Sequence, residues 1–548
     1  MKKIQVLSIT ALISVLSLAG CGKRPAKDGE EEDSSKAQLT ISTFEGGVGD
    51  KWLKNAAKEF EEKNKDRTDF EEGKVGVQIH VTSDRNGSGK TLEYAELNKD
   101  IYFTENVDYY GLTNKNKLAD ITDILTTPNA EDDNKKIVDK IDENLLDYLN
   151  RNDKYYAVPF YDCFYGLVYD KDLFEQKSFY MKDDGTFTNQ RSQFGTGPNG
   201  VAGDWDDGLP KTYEQFASMM NRMRTMKVTP FTYSNSIATW YTTRALCSWW
   251  SDDEGYDEAN LCYNFNGTAH HIVDSVDAAG NITYMDDDGN PSNGYSVEIN
   301  HDKGYLLKRQ AGVYNALHFA RDILCDNTDN YRSYASNYDV QSAFVVNKYM
   351  GGSNKPIAMM FEGTWWENEA AGAIEEAESY GAESFNYGLM PIPKSSDEKV
   401  GEGATFLNLN DSYGFIAANS SHMKLAKEFF SFVHTDAQMR AFTLETNMTR
   451  GLAYKFNEED KDKVSGYASD LMAIKESEHA KILYPVSGLD FFVNNGEFFD
   501  STNWLWDTKT LSNQPIIKFI DSKSLSAKSF FDEHISMVDE ASWSRLVK

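Results

Sequence analysis

Long apolar segments are scarce in this 548-residue chain, and their scarcity limits what the protein can be. A helix that crosses a bilayer needs ~20 consecutive, mainly apolar residues. The apolar segment 4–18 is too short for that, and no later stretch approaches this length. The sequence therefore predicts a protein that is not embedded in a membrane.

Positive charge is also in short supply. The chain has 56 Lys and Arg against 86 Asp and Glu, which gives a formal net charge of -30. Excess carboxylates repel phosphate groups, so nucleic acids and anionic lipid headgroups are unfavourable partners. Such acidity fits the solvated surface of an extracellular protein.

Cysteine is rare, and its spacing matches no common zinc motif. Cys21 belongs to the leader described below, and the other four are Cys163, Cys247, Cys262 and Cys325. None of these lies in a CxxC pair. Two interpretations stay open for an exported protein: a disulfide between the second and third of the four, and buried free thiols.

The first 21 residues have the features of an export signal. Two lysines follow Met1, the segment 4–18 is apolar, and residues 18–21 read Leu-Ala-Gly-Cys. That tetrapeptide resembles the lipobox of bacterial lipoproteins, in which the chain is cleaved before the cysteine and the thiol is acylated. The resemblance implies a lipoprotein signal peptide over residues 1–20 and a palmitoylated Cys21. An ordinary secretory signal or an uncleaved anchor is the alternative.

The segment 21–37 is rich in Lys, Glu, Asp and Ser and poor in apolar side chains. Such a composition cannot bury enough surface to fold, so we expect a flexible acidic stalk. Stalk and lipid would hold the protein on the extracellular face of a bacterial cell membrane.

The globular part opens with a strand, a helix and a second strand. Residues 39–42 alternate as a strand does, five apolar residues between Trp52 and Phe60 share one helical face, and residues 75–81 alternate again. This order is typical of an α/β domain.

Several further motifs follow in a characteristic order. Residues 155–160 read Tyr-Tyr-Ala-Val-Pro-Phe, and residues 166–174 read Gly-Leu-Val-Tyr-Asp-Lys-Asp-Leu-Phe. Residues 207–216 contain Pro-Lys-Thr-Tyr-Glu, and residues 357–365 end in Gly-Thr-Trp. This order resembles the extracellular solute-binding proteins of ABC importers, the sugar-binding group that includes maltose-binding protein.

The resemblance implies an α/β protein with a two-lobe, periplasmic-binding-protein-like (type II) fold, hinge strands and a ligand cleft between the lobes. It implies an N-terminal lobe from residues 38–158 and 396–455, and a C-terminal lobe from residues 159–395 and 456–548. One crossing between lobes is expected near residues 158–159 and the other between residues 393 and 413.

A sugar offers hydroxyl groups at its edge and apolar C–H faces, so its site needs aromatic platforms with polar groups at the rim. The resemblance places such mixtures at the cleft. The candidate ligand-binding residues are Phe44, Glu45, Thr104, Glu105, Asn106, Tyr161, Asp162, Trp240, Tyr241, Trp365 and Arg450. For Arg450, donation to a sugar hydroxyl and a role in holding its loop both stay open.

Two weaker metal hypotheses arise from the sequence. Asn199, Asp204, Asp206 and Asp207 bring several oxygens onto one glycine-rich loop, as a structural Ca²⁺ site requires, although a hairpin tip is the default interpretation. The histidine pair 270–271 has no third ligand at a useful spacing, so a catalytic metal is not expected there. No cofactor is otherwise indicated.

The resemblance implies a monomeric substrate-binding lipoprotein that captures a carbohydrate, an oligosaccharide by preference, by hinge closure and delivers it to an ABC permease. It implies no enzymatic activity. The alternatives are a binding protein for a non-sugar solute and a lipid-anchored glycoside hydrolase, which would also need an aromatic cleft and paired carboxylates.

Overall fold

The computed structural model describes residues 32–84, 92, 94–234, 238–286, 291–292, 296–324, 331–334, 336–409, 411–499, 504–506, 519, 525–534 and 539–548. The signal segment and Cys21 lie outside this range. Within it, no helix has both the length and the apolar character needed to cross a membrane.

The strands are β1 (Ala37–Phe44), β2 (Val77–Asp84), β3 (Ile101–Thr104), β4 (Val158–Pro159), β5 (Tyr165–Asp170), β6 (Tyr180–Met181), β7 (Phe187–Thr188), β8 (Thr229–Ser234), β9 (Gly267–Ala269), β10 (Val273–Val276), β11 (Ile282–Met285), β12 (Pro291–Ser292), β13 (Val297–Ile299), β14 (Tyr331–Tyr334), β15 (Ile357–Gly363), β16 (Tyr387–Met390), β17 (Ala404–Leu407), β18 (Tyr413–Ile416) and β19 (Ala480–Leu483).

The α-helices are α1 (Lys51–Lys63), α2 (Tyr109–Asn114), α3 (Thr122–Thr126), α4 (Glu143–Leu149), α5 (Lys171–Lys177), α6 (Tyr213–Thr225), α7 (Ala238–Glu254), α8 (Tyr256–Asn264), α9 (Ala311–His318), α10 (Asn337–Met350), α11 (Trp366–Glu369), α12 (Ala371–Ser379), α13 (Met423–Val433), α14 (Asp436–Thr446), α15 (Glu458–Lys461), α16 (Gly466–Glu476), α17 (Asp490–Asn494), α18 (Gly496–Phe499), α19 (Ala527–His534) and α20 (Glu540–Leu546).

The first sheet has the strand order β2-β1-β3-β18-β4. β1 pairs in parallel with β2 and β3, and β18 pairs antiparallel with β3 and β4. The predicted face of α1 is confirmed, because its five apolar residues are all buried. The second strand is confirmed only from Val77: Val75 is 52% exposed, and Gly76 turns the chain between them with a φ of +75°.

The first strand begins at Ala37, which is buried and pairs with Val77. That residue was expected to be the last of the flexible stalk. Immediately before it, the Asp33 N–H donates to the side-chain oxygen of Gln78 on β2 (2.7 Å). The chain is therefore already attached to the first sheet at the end of the proposed stalk.

The second sheet has the order β14-β8-β15-β5-β16. β8 pairs in parallel with β14 and β15, while β5 runs antiparallel to β15 and β16. β5, β15 and β16 are buried along their whole lengths, as strands covered on both faces should be. The predicted α/β class is confirmed.

The chain passes between the sheets three times. The third passage runs from α14, on the first-sheet side, to α16, where Asp470 accepts a hydrogen bond from the Leu389 N–H of β16 (3.1 Å). The first two passages lie close together in space. The chain leaves the first sheet after β4 and enters the second at β5. It then returns between β17, which pairs with β19, and β18. β17 is held beside the second sheet because Asp252 on α7 accepts a hydrogen bond from the Thr405 N–H (2.6 Å). The strand 404–407 thus lies on the second-sheet side, although the resemblance assigned it to the first lobe.

Candidate ligand-binding site

Loops from both sheets meet where their parallel strands end. β1 ends at Phe44 in the first sheet, and β15 ends at Gly363 in the second. Ligands of open α/β sheets bind beside such carboxyl ends, because the connecting loops gather there. Gly47 and Trp365, which follow these strands, touch: a Cβ added at Gly47 would lie 2.7 Å from the Cβ of Trp365.

Trp365 lies in an aromatic group at the edge of the second sheet. Its ring meets Tyr165 edge-on, with centroids 4.9 Å apart, and Tyr165 stacks on Phe361 at 5.6 Å. Trp365 is 9% exposed. Tyr165 and Phe361 are 6% and 1% exposed, so they pack behind the Trp365 ring, beside the loop that carries Gly47.

Trp366, the next residue, points the other way. It is fully buried and packs against Phe344, Tyr387 and Tyr467, with centroid distances between 5.0 and 5.8 Å. The two adjacent tryptophans therefore divide between the site and the interior.

Arg244, which the sequence analysis did not select, adjoins the aromatic group. Its guanidinium lies 5.3 Å from the Tyr165 ring centroid, and its Nη1 donates to the carbonyl of Leu409 (2.8 Å). Leu409 belongs to the connection between β17 and β18, so Arg244 ties the second lobe's helix to that connection. The signal that could have revealed it is its position one helical turn after Trp240. We call Gly47, Tyr165, Arg244 and Trp365 the cleft rim.

The first-lobe candidates follow the ends of β1 and β3. Phe44, Glu45, Glu105 and Asn106 are partly buried, whereas Thr104 is buried at 5% exposure. Asn106 has a φ of +51°, a left-handed conformation that asparagine tolerates better than most residues. This turn sets the direction in which the chain leaves β3.

Glu105 is close to residues at the start of the second lobe. Burial raises the pKa of the Cys163 thiol, and the negative charge of Glu105 is the next contribution to that shift. The same carboxylate also adds to the raised pKa of Tyr165, again behind burial. Glu105 therefore acts electrostatically on a member of the cleft rim.

Asp162 lies in the hinge and is fully enclosed by protein donors. Its Oδ2 accepts from Thr449 (2.7 Å) and from Lys475 Nζ (2.8 Å), and its Oδ1 accepts from Tyr484 (3.2 Å). The carboxylate is 0% exposed. This placement does not favour the predicted contact with a ligand, because both oxygens are already engaged.

Arg450 is also fully buried, inside an aromatic cage. Its guanidinium lies 5.3 to 5.9 Å from four ring centroids, those of Trp52, Phe103, Phe160 and Phe442. Nε donates to the Phe160 carbonyl (2.5 Å). Burial lowers the pKa of this guanidinium to about 10. Of the two roles left open, the structure favours that of holding the loop.

Tyr161 shares this environment. It is 1% exposed, its backbone forms a bridge with Arg450, and its ring packs edge-on against Phe160 at 5.0 Å. We call Tyr161, Asp162, Thr449, Arg450 and Lys475 the hinge cluster, since they join the first passage of the chain between the sheets to the segment after α14 and to α16.

Three predicted functional residues cannot be placed. Trp240 and Tyr241 belong to the first turn of α7, but their side chains are outside the described part of the structure. Cys21 lies outside it altogether. Their roles stay predictions.

The residues suggested for Ca²⁺ hydrogen-bond mainly within their own loop. Asn199 donates through its backbone to Asp206 (3.0 Å) and through its side chain to Asp204 (2.8 Å), and Asp207 accepts from the Gly203 N–H (2.8 Å). Burial, reinforced by the neighbouring carboxylates, raises the pKa of Asp206 to about 8. That carboxyl is therefore mostly neutral at pH 7.

These three aspartates do not form a convergent ligand set. Among the described residues, their carboxylates are absent from any group of three or more acidic, histidine or cysteine ligand atoms that all lie within 4.8 Å of one another. Asp206 Oδ1 and Asp207 Oδ1 are buried without a hydrogen-bond partner. The hairpin-tip interpretation and the Ca²⁺ hypothesis therefore both stay open. The described cysteines, Cys163, Cys247 and Cys262, are buried and are not joined to one another by a disulfide.

Comparison with known proteins identifies the family. The sequence matches the family described as bacterial extracellular solute-binding protein over residues 45–440. No curated protein matches the chain in sequence.

The fold is similar to that of the apo-form of RafE from Streptococcus pneumoniae, with a TM-score of 0.54 and 14% identity over 94% of this chain and 100% of that one. It is also similar to the GacH receptor of Streptomyces glaucescens GLA.O, with a TM-score of 0.50 and 13% identity over 93% of this chain and 98% of that one. The GacH structures include a complex with acarbose.

These similarities confirm the predicted two-lobe, periplasmic-binding-protein-like fold. The family consists of binding proteins that work outside the bacterial cell, which confirms the expected class and the extracellular location. This chain belongs to the family of bacterial extracellular solute-binding proteins.

Proposed function

We propose that this protein captures an oligosaccharide in the cleft between its two lobes and delivers it to an ABC permease. The observation that carries the proposal is the contact between Gly47 and Trp365, which joins an aromatic group of one lobe to a loop of the other. A site of this kind changes shape when the lobes move.

The chemistry of the cleft rim suits a carbohydrate. The Trp365 ring, packed edge-on against Tyr165, offers a flat apolar face for sugar C–H groups, and Arg244 places a donor beside Tyr165. The complex of the similar GacH receptor with acarbose supports the same ligand class. The ligand is bound and released without chemical change.

Ligand-dependent closure supplies the signal to the permease. A ligand that contacts both lobes stabilises the closed form by its differential affinity for that form. The hinge cluster keeps the connecting segments together during this motion, because Asp162 accepts hydrogen bonds from Thr449 and Lys475 rather than from the ligand.

The proposal also includes the location of the protein at the cell surface. Cys21 is the acylated first residue of the mature chain, and the segment up to residue 36 is the tether that holds a monomeric receptor near its permease. We place the second lobe boundary between Leu407 and Tyr413, because β17 lies beside the second sheet and β18 within the first.

A soluble form that begins at residue 32 tests the ligand class. Its melting temperature would be measured with a panel of mono- and oligosaccharides, amino acids, peptides and polyamines, and each hit followed by titration calorimetry. We expect oligosaccharides to raise the melting temperature. A clear shift from a non-sugar solute alone would overturn the carbohydrate assignment, and release of shorter sugars during incubation would show an enzyme.

A further inference from the structure

Three side chains with metal-binding atoms converge where α7 meets α8. Glu254 is the last residue of α7, Glu258 lies in the first turn of α8, and His271 follows β9. One ligand atom from each lies within 4.8 Å of the other two. Among the residues that the structure describes, this is the one such group of three or more.

The atoms that face one another have no hydrogen-bond partner. Glu254 Oε2, Glu258 Oε2 and His271 Nδ1 are all buried and unpartnered. The Glu254 side chain is 0% exposed, and its Oε2 lies 3.6 Å from His271 Nδ1. A buried polar atom without a partner costs about 1–3 kcal/mol, so three of them within 4.8 Å of one another indicate that a cation belongs between them.

The remaining carboxylate oxygens are held by protein donors. Glu258 Oε1 accepts from the backbone N–H of His270 (3.0 Å) and lies 2.6 Å from the His270 ring nitrogen Nδ1. Glu254 Oε1 accepts from the backbone N–H of Gly312, at the start of α9. Each carboxylate is therefore oriented by one oxygen and presents the other, the arrangement that metal sites use to fix their ligands.

The nearest described cation does not fill this role. Lys399 Nζ donates to the backbone carbonyl of Asp253 and lies 3.2 Å from its carboxylate, so it is committed to the neighbour of Glu254. With a neutral imidazole, the two glutamates carry two negative charges, which a divalent ion balances.

We propose that Glu254, Glu258 and His271 bind one divalent transition-metal ion, with Zn²⁺ as the best match. Zinc takes nitrogen and carboxylate ligands at about 2.0–2.2 Å in a tetrahedral arrangement, which puts neighbouring ligand atoms roughly 3.3–3.6 Å apart. The observed 3.6 Å between two of them agrees with that spacing. Ca²⁺ and Mg²⁺ prefer all-oxygen sites, so the histidine disfavours them.

The site opens to solvent and is remote from the cleft rim. It borders a surface cavity of about 640 Å³, which leaves access for the ion and for a water as fourth ligand. Ten residues of α7 separate Glu254 from Arg244, about 15 Å along the helix axis. The ion would join the end of α7, the start of α8 and the segment after β9.

The histidine pair 270–271 has no third ligand nearby in the chain. The structure brings the two glutamates to His271 from 13 and 17 positions upstream.

Metal binding by the soluble form tests the proposal directly. The protein would be stripped with a chelator, dialysed, and titrated with Zn²⁺ by calorimetry, with Co²⁺ as a spectroscopic probe of geometry. We expect one ion per chain, a higher melting temperature with Zn²⁺, and the intense visible absorption of tetrahedral Co²⁺.

The variants His271→Gln and Glu258→Gln should each weaken Zn²⁺ binding at least tenfold. His318→Gln is the matched control, because His318 forms an exposed pair with Asp322 (2.5 Å) elsewhere on the surface and should bind no zinc. Retention of the wild-type affinity by His271→Gln would overturn the proposal. The proposal would also be overturned if the protein bound no Zn²⁺, in which case a protonated His271 simply pairs with Glu254. Stabilisation by Ca²⁺ alone would overturn it as well. Circular dichroism before titration would establish that each variant is folded.

Discussion

The hinge cluster and the cleft rim are neighbours in the chain only at residues 161–165, and they treat polar groups in opposite ways. In the hinge cluster, Asp162 is closed off by three protein donors and Arg450 by four aromatic rings. In the cleft rim, Trp365 touches the opposite lobe through a glycine that has no side chain. The hinge cluster holds the connecting segments together, whereas the cleft rim contacts both lobes and would contact a ligand between them.

This difference separates two effects that a mutation can have. A change in the hinge cluster should lower the free energy of unfolding, whereas a change in the cleft rim should lower ligand affinity.

Asp162→Asn should destabilise the protein by about 3–5 kcal/mol, because it leaves the Lys475 ammonium buried without a counter-charge. The side chain of Lys475 is only 10% exposed. Urea unfolding would measure the loss. Asp123→Asn is the control: Asp123 is 61% exposed in its pair with Lys427, and its loss should cost less than about 1 kcal/mol. Equal effects of the two variants would contradict a structural role for Asp162.

Trp365→Ala should reduce ligand affinity by about 1.5–3 kcal/mol, or roughly tenfold to a hundredfold, through the loss of one aromatic face. Trp366→Ala is the matched control one residue away. It should lower the melting temperature while leaving the affinity of the folded protein unchanged. Calorimetric titration with the best ligand from the panel would compare them. The division fails if Trp366→Ala weakens binding more than Trp365→Ala does.

Arg450→Met should cost about 2 kcal/mol of stability with little change in affinity, because methionine fills the aromatic cage but cannot donate to the Phe160 carbonyl. Unfolding and binding would be measured on the same preparation. A large loss of ligand affinity with an unchanged free energy of unfolding would show that Arg450 acts in ligand binding, as the cleft rim does.

Gly47→Ala should weaken binding several-fold, since the new Cβ would meet Trp365 at 2.7 Å. Gly47 also has a φ of +65°, which costs an alanine about 1–2 kcal/mol. Gly49→Ala isolates that strain, because Gly49 has a φ of +70° and no atom within 4 Å of an added Cβ. If both variants bind equally well, the contact between the lobes plays no part in closure.

Local patterns in the sequence predicted the features that depend on neighbouring residues, such as the buried face of a helix. The buried face of α1 follows from the spacing of Trp52, Ala56 and Phe60, and the opening strands follow from simple alternation. Trp365 was identified because the family motif fixes its place after a strand.

The direction of a side chain and the convergence of residues distant in sequence were harder to predict. The resemblance placed Asp162 beside the first hinge and Arg450 at the cleft, but nothing local indicates that their side chains point into the interior. Arg244 carries no motif, and its role depends on Leu409, a residue 165 positions away. The group of Glu254, Glu258 and His271 likewise exists only after two helices and a strand have packed.

The position of β18 has a consequence for how the protein folds. It lies between β3 and β4, so the first sheet remains in two pieces until residues 413–416 are available. Contacts this distant in sequence make folding slow. An N-terminal fragment that ends after β4 should therefore not form a stable domain, and the newly made chain should stay unfolded until about three quarters of it has been synthesised.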